Sequence, residues 1–229
     1  MKERKIMFFT MLVCTVIMGT VFAVADPTGA SVTEGTSSTR AGQTAQQVTA
    51  EAGNVTGLNI NQTKVTDIWQ GYYGNISGEI TLDNAANQTF YDWNYATTTG
   101  EVYAVNTSIS SWSGPTCANQ ALINTWETGL GITSTWADSI NETFKGTSHP
   151  SFSVGSTAFT TCRSTQAYGS GATTEYWNVL VNVGNNLVFA SVVNSTSTGF
   201  NGNGADFELL VPTDQATNTE VYYFYAELN

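Results

Sequence analysis

The 229 residues have the length of one large domain or of one domain with attachments. At 41% hydrophobic and 12% aromatic they carry enough apolar material for a core, which argues against wholesale disorder. Charged residues are only 11% against a usual ~25%, and a formal net charge of −11 makes nucleic acid a poor partner.

The chain opens with Lys2, Arg4 and Lys5 ahead of an uncharged run from Ile6 to Ala25 that ends in Ala23-Val24-Ala25, the small-x-small pattern after which a signal peptidase cuts. Residues 1–25 therefore read as a signal peptide forming an N-terminal signal helix. The run is also long enough to span a bilayer as an uncleaved signal anchor, the one membrane contact expected. Both readings place the rest outside the cytoplasm, extracellular or on the cell surface. Cleavage removes three of seven basic and one of eighteen acidic residues, leaving four against seventeen, a net charge of −13.

Residues 26–52 hold no aromatic residue and no apolar period, so they predict a flexible low-complexity spacer. The alternative is a donor segment that inserts into a neighbour's sheet, although large alternating apolar residues are missing.

Residues 53–229 predict a single β-rich domain. Thr66–Tyr73 and Asn75–Leu82, broken by Gly74, read as a hairpin or as one long bulged strand. In Phe90–Tyr95 the side chains of Tyr91, Trp93 and Tyr95 share one face, and Glu101–Asn106 continues the β reading. Pro115–Glu127 then sets Leu122, Ile123 and Trp126 on a helical stripe stopped by Gly129 and Gly131. A second helix is expected over Thr135–Phe144, capped by Thr135. Tyr176–Val183 and Leu187–Val193 flank Gly184-Asn185-Asn186 as the clearest hairpin, and Phe207–Val211 and Glu220–Leu228 supply two further strands. Aromatics on both faces of the last strand mark it as interior or covered. The fold class predicted is mainly β: an antiparallel β-sandwich, jelly-roll or Ig-like, with a short two-helix insertion around 115–145.

The run Trp69-Gln70-Gly71-Tyr72-Tyr73-Gly74-Asn75-Ile76-Ser77-Gly78, the later Phe90-Tyr91-Asp92-Trp93, and the stretches Gly199-Phe200, Asp206-Phe207, Leu210-Val211-Pro212 and Tyr222–Leu228 resemble secreted, cell-surface β-rich proteins of archaea, DPANN-type lineages among them. The resemblance covers about residues 53 to 229 and implies an extracellular domain within a surface architecture. It brings no catalytic or ligand residue with it.

Few residues are left for chemistry. One histidine and three cysteines assemble no multi-histidine or four-thiolate centre, so no metal and no cofactor are expected. Cys117 and Cys162 survive cleavage and, outside the cytoplasm, predict a disulfide rather than a thiol nucleophile served by His149. His149 reads as a surface-loop residue, since no nucleophile elbow accompanies it. Asp206 and Glu208 share a strand face, the pattern of a solvated face more often than of a glycosidase pair, and Asn201-Gly202-Asn203-Gly204 reads as a tight turn rather than a calcium loop. Sequons begin at Asn54, Asn61, Asn75, Asn87, Asn106, Asn141 and Asn194, glycan acceptor candidates in an exported chain. With 20 Asn and 52 Ser or Thr after residue 25, about five sequons arise from composition alone, so seven is scarcely an excess. Trp69, Tyr72, Tyr73, Tyr91, Trp93 and Tyr95 are candidate sugar-contact aromatics, with core packing as the competing role.

No catalytic residue is assigned. The expectation is a non-enzymatic structural or adhesion module of the cell surface, a coat, filament or assembly subunit. Its partners are then other surface proteins or copies of itself. The alternative is a carbohydrate-binding module, with a secreted hydrolase third.

Overall fold

The computed structural model describes residues 26–94 and 99–228, so the expected signal helix and Tyr95 lie outside the described part. Among the described residues no helix is long and apolar enough to cross a membrane.

The chain is mainly β, with antiparallel pairing throughout. In order it forms β1 (Thr28–Gly29), β2 (Trp69–Gly74), β3 (Glu79–Asp83), β4 (Thr89–Asn94), β5 (Gly100–Val105), β6 (Thr116–Cys117), helices α1 (Gln120–Gly129) and α2 (Ile140–Thr143), then β7 (Phe152–Val154), β8 (Thr157–Phe159), β9 (Ser164–Tyr168), β10 (Thr174–Val183), β11 (Asn186–Val192), β12 (Phe207–Pro212) and β13 (Tyr223–Leu228). The centre is a seven-stranded sheet ordered β1-β13-β5-β11-β10-β6, with β9 also on β10. Its spine is the β10–β11 hairpin, where Val183 pairs with Asn186 and the two linking residues, Gly184 and Asn185, both take positive φ (58° and 67°). Such a turn carries the right-handed twist of its strands, and Gly and Asn tolerate it best.

Period-two alternation divides this sheet between two cores. On one face Val102, Ala104, Leu180, Leu187 and Phe189 meet Ile123 of α1, Ile140 of α2, Phe144, and Leu209 and Val211 of β12. On the other, Tyr103, Val105, Val179, Val181, Val188 and Tyr225 meet Trp112 and the β7–β8 hairpin through Phe152, Val154 and Phe159. The first layer is fastened by a polar bracket. The buried Asn178 donates to the Glu208 carbonyl (3.0 Å) and accepts from the Leu210 amide (2.9 Å), and Ser191 donates to the same carbonyl (2.9 Å). These bonds hold β12, and the β2 strand paired to it, over the sheet.

Three expectations are corrected. β2 and β3 form neither a hairpin nor one strand: β2 pairs with β12, Trp69 opposite Pro212, while β3 pairs with β4. The first helix begins only at Gln120, capped by Asn119, because Thr116 and Cys117 pair with Asn182 and Val181. The second helix shrinks to Ile140–Thr143 and is capped by Ser139, whose hydroxyl accepts from the Glu142 amide (3.1 Å), not by Thr135. The buried Glu127 fixes its position by accepting from the Asn141 amide at 2.7 Å.

Cys117 and Cys162 are bonded, with Cα atoms 5.0 Å apart, and tie β6 to the segment before β9. Closing a loop of this length, a sequence separation of 45, contributes about 4 kcal/mol on the chain-entropy model. The disulfide is compatible with an extracellular location. The segment expected to be a spacer is largely exposed and irregular, but it opens with a sheet contact: Thr28 pairs with Ala226, Gly29 with Tyr225, and the Ala30 amide donates to the Phe224 carbonyl (3.1 Å).

Candidate interaction surface

Local sequence is enough to build the β3–β4 hairpin. Its turn is organised by Asn84, whose side-chain oxygen accepts from the amides of Ala86 (2.9 Å) and Gln88 (3.0 Å), and Asn87 takes the positive φ of 57° that closes it. Ile80 then faces Trp93 and Leu82 faces Tyr91, so alternation gathers four large side chains on one face, with the Tyr91 and Trp93 rings edge-to-face at 4.8 Å. Thr81 and Asp92 lie opposite each other on the reverse face. A bulge at the Leu82–Asp83 step leaves Phe90 unpaired.

Nothing in the described chain covers this face. Ile80 and Leu82 are each 51% exposed, Trp93 50% and Tyr91 55%, and the unpaired Phe90 at the bulge is 85% exposed. Scattered exposed hydrophobics are ordinary on a protein surface, whereas large contiguous apolar patches are uncommon on monomeric proteins.

The six sugar-contact candidates are not one platform. Tyr91 and Trp93 stand on the hairpin, whereas Trp69 packs into the first core, its ring 5.8 Å from Phe144 and its indole N–H donating to the Asp138 carbonyl at 2.6 Å. Tyr72 is half-buried edge-on to Phe224 (5.2 Å), and Tyr73 is exposed and pairs edge-on with Phe200 (5.0 Å). A cleft of about 670 Å³ opens beside Trp69, Tyr72 and Tyr73, roofed by residues 33–40 with Glu34 and Arg40 and walled by Phe200 and Glu208.

The polar candidates hold loops in place. Glu208 is buried rather than solvated, and its Oε1 accepts from the Phe200 amide (2.7 Å); burial pushes its carboxyl up from the usual range. Asp206 accepts from the Ile76 amide (2.9 Å). Between these two anchors, Gly199 and Asn203 close the expected tight turn (2.8 Å), with Gly202 at φ 83°. His149 is half-buried beside the disulfide. Its Nε2 accepts from the Cys162 amide (2.8 Å), which leaves Nδ1 to carry the proton and donate to the Pro150 carbonyl (2.8 Å). None of these geometries joins a nucleophile to a base.

Among the sequons, Asn54, Asn61, Asn75 and Asn87 are exposed, while Asn106, Asn141 and Asn194 are half-buried with side-chain hydrogen bonds to Glu220, Arg163 and the Glu175 carbonyl. Asn87 stands at the tip of the β3–β4 hairpin.

One cluster escaped the sequence reading. Glu101 and Glu227 pair across β5 and β13 and are only 4% and 3% exposed. Glu227 accepts from the Gly155 amide (3.0 Å) and the Tyr103 hydroxyl (3.2 Å). Glu101 Oε2 has no hydrogen-bond partner among the described residues. Burial, reinforced by the Glu227 charge and opposed by the Ser153 backbone N–H, pushes the Glu101 carboxyl up to about 8. Its signal was present: Glu101, Tyr103 and Val105 alternate onto one strand face, as do Tyr225 and Glu227, so each Glu occupies an apolar register. Among the described residues no group of three or more Asp, Glu, His or Cys side chains is disposed to hold a metal ion. In comparisons with known proteins, this chain matches no family model, no curated protein and no solved structure.

Proposed function

We propose that this chain is a non-enzymatic extracellular module, a structural or adhesion subunit of a cell surface, working through the outward face of its β3–β4 hairpin. The observation that carries this reading is the exposure of Ile80, Leu82, Tyr91 and Trp93 together on one face of a two-stranded hairpin. A two-stranded ribbon is at best marginally stable alone, and one that leaves its apolar face open is suited to being completed by a contact. The occupant this favours is another protein of the same surface layer. A net charge of −13 after cleavage opposes packing of identical copies, so self-association through this face should strengthen as salt screens it.

The Tyr91–Trp93 pair favours a second reading, a carbohydrate-binding module, because exposed rings with polar tips suit the faces of sugars. Enzyme action finds less support, since Asp206, Glu208 and His149 are each engaged in loop-holding bonds.

The test is binding by the exported protein and its Tyr91→Ala/Trp93→Ala variant to surface-layer extract, to glycan arrays and to itself. The proposal expects protein association reduced tenfold or more in the variant, as for interface anchors generally. Loss of glycan binding alone would favour the second reading. A glycan or peptide turnover activity abolished by Asp206→Asn/Glu208→Gln/His149→Ala would overturn both.

A further inference from the structure

Among the described residues, the buried Glu101–Glu227 pair has no cation to answer it. After residue 25 the chain has only Arg40, Lys64, Lys145 and Arg163. Lys64 pairs with Asp67, Lys145 with Glu142, Arg163 bonds Asn141 and Gln120, and Arg40 lines the cleft by β2. Of the elements around the pair, β7 and β8 bring only backbone groups, β5 adds the neutral Tyr103, and the N-terminal segment adds another acid, Asp26. Buried carboxylates without a counter-charge are costly, and proteins pair them or keep them neutral.

The described N-terminal segment approaches this pair. Continuing the β1–β13 register by one residue sets Pro27 opposite Glu227, and Pro27 is buried. A Cβ added at Gly155, whose amide bonds Glu227, would lie 2.5 Å from Asp26 Oδ1. Asp26 is also the residue that follows the small-x-small pattern of Ala23-Val24-Ala25.

We infer that cleavage of the Ala25–Asp26 bond creates the missing cation: the new α-ammonium of Asp26 docks on the Glu101–Glu227 pair and locks the processed N-terminus onto the sheet edge. A signal peptidase hydrolyses the bond with one water, leaving a carboxylate on Ala25 and an amine on Asp26, which takes up a proton. Before cleavage the same nitrogen is an uncharged amide, so the lock exists only in the processed chain. Two features fit. Pro27 supplies no amide hydrogen to an edge strand, as edge positions allow, and the unpartnered Glu101 Oε2 leaves an acceptor open. This inference is independent of what the hairpin binds.

The test uses the exported protein as it is recovered from expression of the full chain. Intact mass and N-terminal sequencing are expected to give Asp26 as the first residue. The pH profile of α-amino acylation, followed by peptide mapping, is then expected to place the α-amino midpoint at least one unit above the ordinary ~7.7–8.0, a tenfold or greater loss of the reactive form at neutral pH. Glu227→Gln and Glu101→Gln should each return the midpoint toward the ordinary range, a readout that simple steric protection would not move. An N-terminus elsewhere, or a wild-type midpoint in the ordinary range, overturns the inference without any variant having to fold.

Discussion

The β10–β11 and β3–β4 hairpins are both antiparallel and both close on an Asn at positive φ, Asn185 in one and Asn87 in the other. Yet β10–β11 is sealed on both faces, its Leu180 and Phe189 under α1, α2 and β12 and its Val179, Val181 and Val188 under β7–β8. The β3–β4 hairpin has an apolar face of its own that no described residue covers. Strand formation follows from the local pattern, but burial depends on which distant segments come back to lie over it. The exposed ribbon is the face on which the proposed contact rests.

The comparison is sharpest in stability. Phe189 is buried and rings the first core with Trp69, Trp126, Phe144 and Tyr222. Phe189→Ala is expected to cost ~3–5 kcal/mol in urea unfolding, the range for large aromatic truncations in cores. Trp93→Ala, an aromatic deletion on an exposed face, is expected to cost under about 1 kcal/mol. Equal losses would mean that the β3–β4 face is covered in the folded chain.

A smaller effect tests the buried edge of the central sheet. In protein acetylated at the Asp26 amine while unfolded and then refolded, no α-ammonium is present, and Glu101 sits at about 8 against an ordinary 4.5. A folded pKa above the unfolded one gives a contribution that is full below about 4.5 and is lost as pH rises through about 8, because the folded state holds the proton longer. Unfolding free energy is therefore expected to fall by on the order of a few kcal/mol across that window. Glu227, likewise raised, acts in the same direction, with Tyr103 and Asp26 the other titratable groups at the pair. Glu101→Gln should flatten the profile.

The two hairpins also separate what local sequence reveals from what it hides. The β10–β11 strands, β4, β5, β12 and β13 were legible because period two and flanking turns suffice. The β2–β12 pairing was not, since Gly74 meets Phe207 only after the intervening chain has folded, and nothing near Trp69 names its partner. The same distance hid the fate of the aromatic candidates: Trp69 and Trp93 look alike in sequence, and only the return of α2 and β11 decides that Trp69 is core. Short elements such as β6, β7 and β8 left too little period to read, and Ser139 displaced Thr135 as cap because Glu127 reaches the start of α2 from another helix. The Cys117–Cys162 bond was legible because the compartment and the cysteine count left one pairing.

The most direct test of the uncovered hairpin is oxidative footprinting of Trp93 and Tyr91 in intact cell-envelope preparations and in the purified protein, with buried Trp112 as internal reference. The reading of this face as a contact surface predicts that Trp93 and Tyr91 react readily in the purified protein and are protected several-fold in the envelope, while Trp112 stays unreactive in both. Equal reactivity of Trp93 in the two states would contradict it.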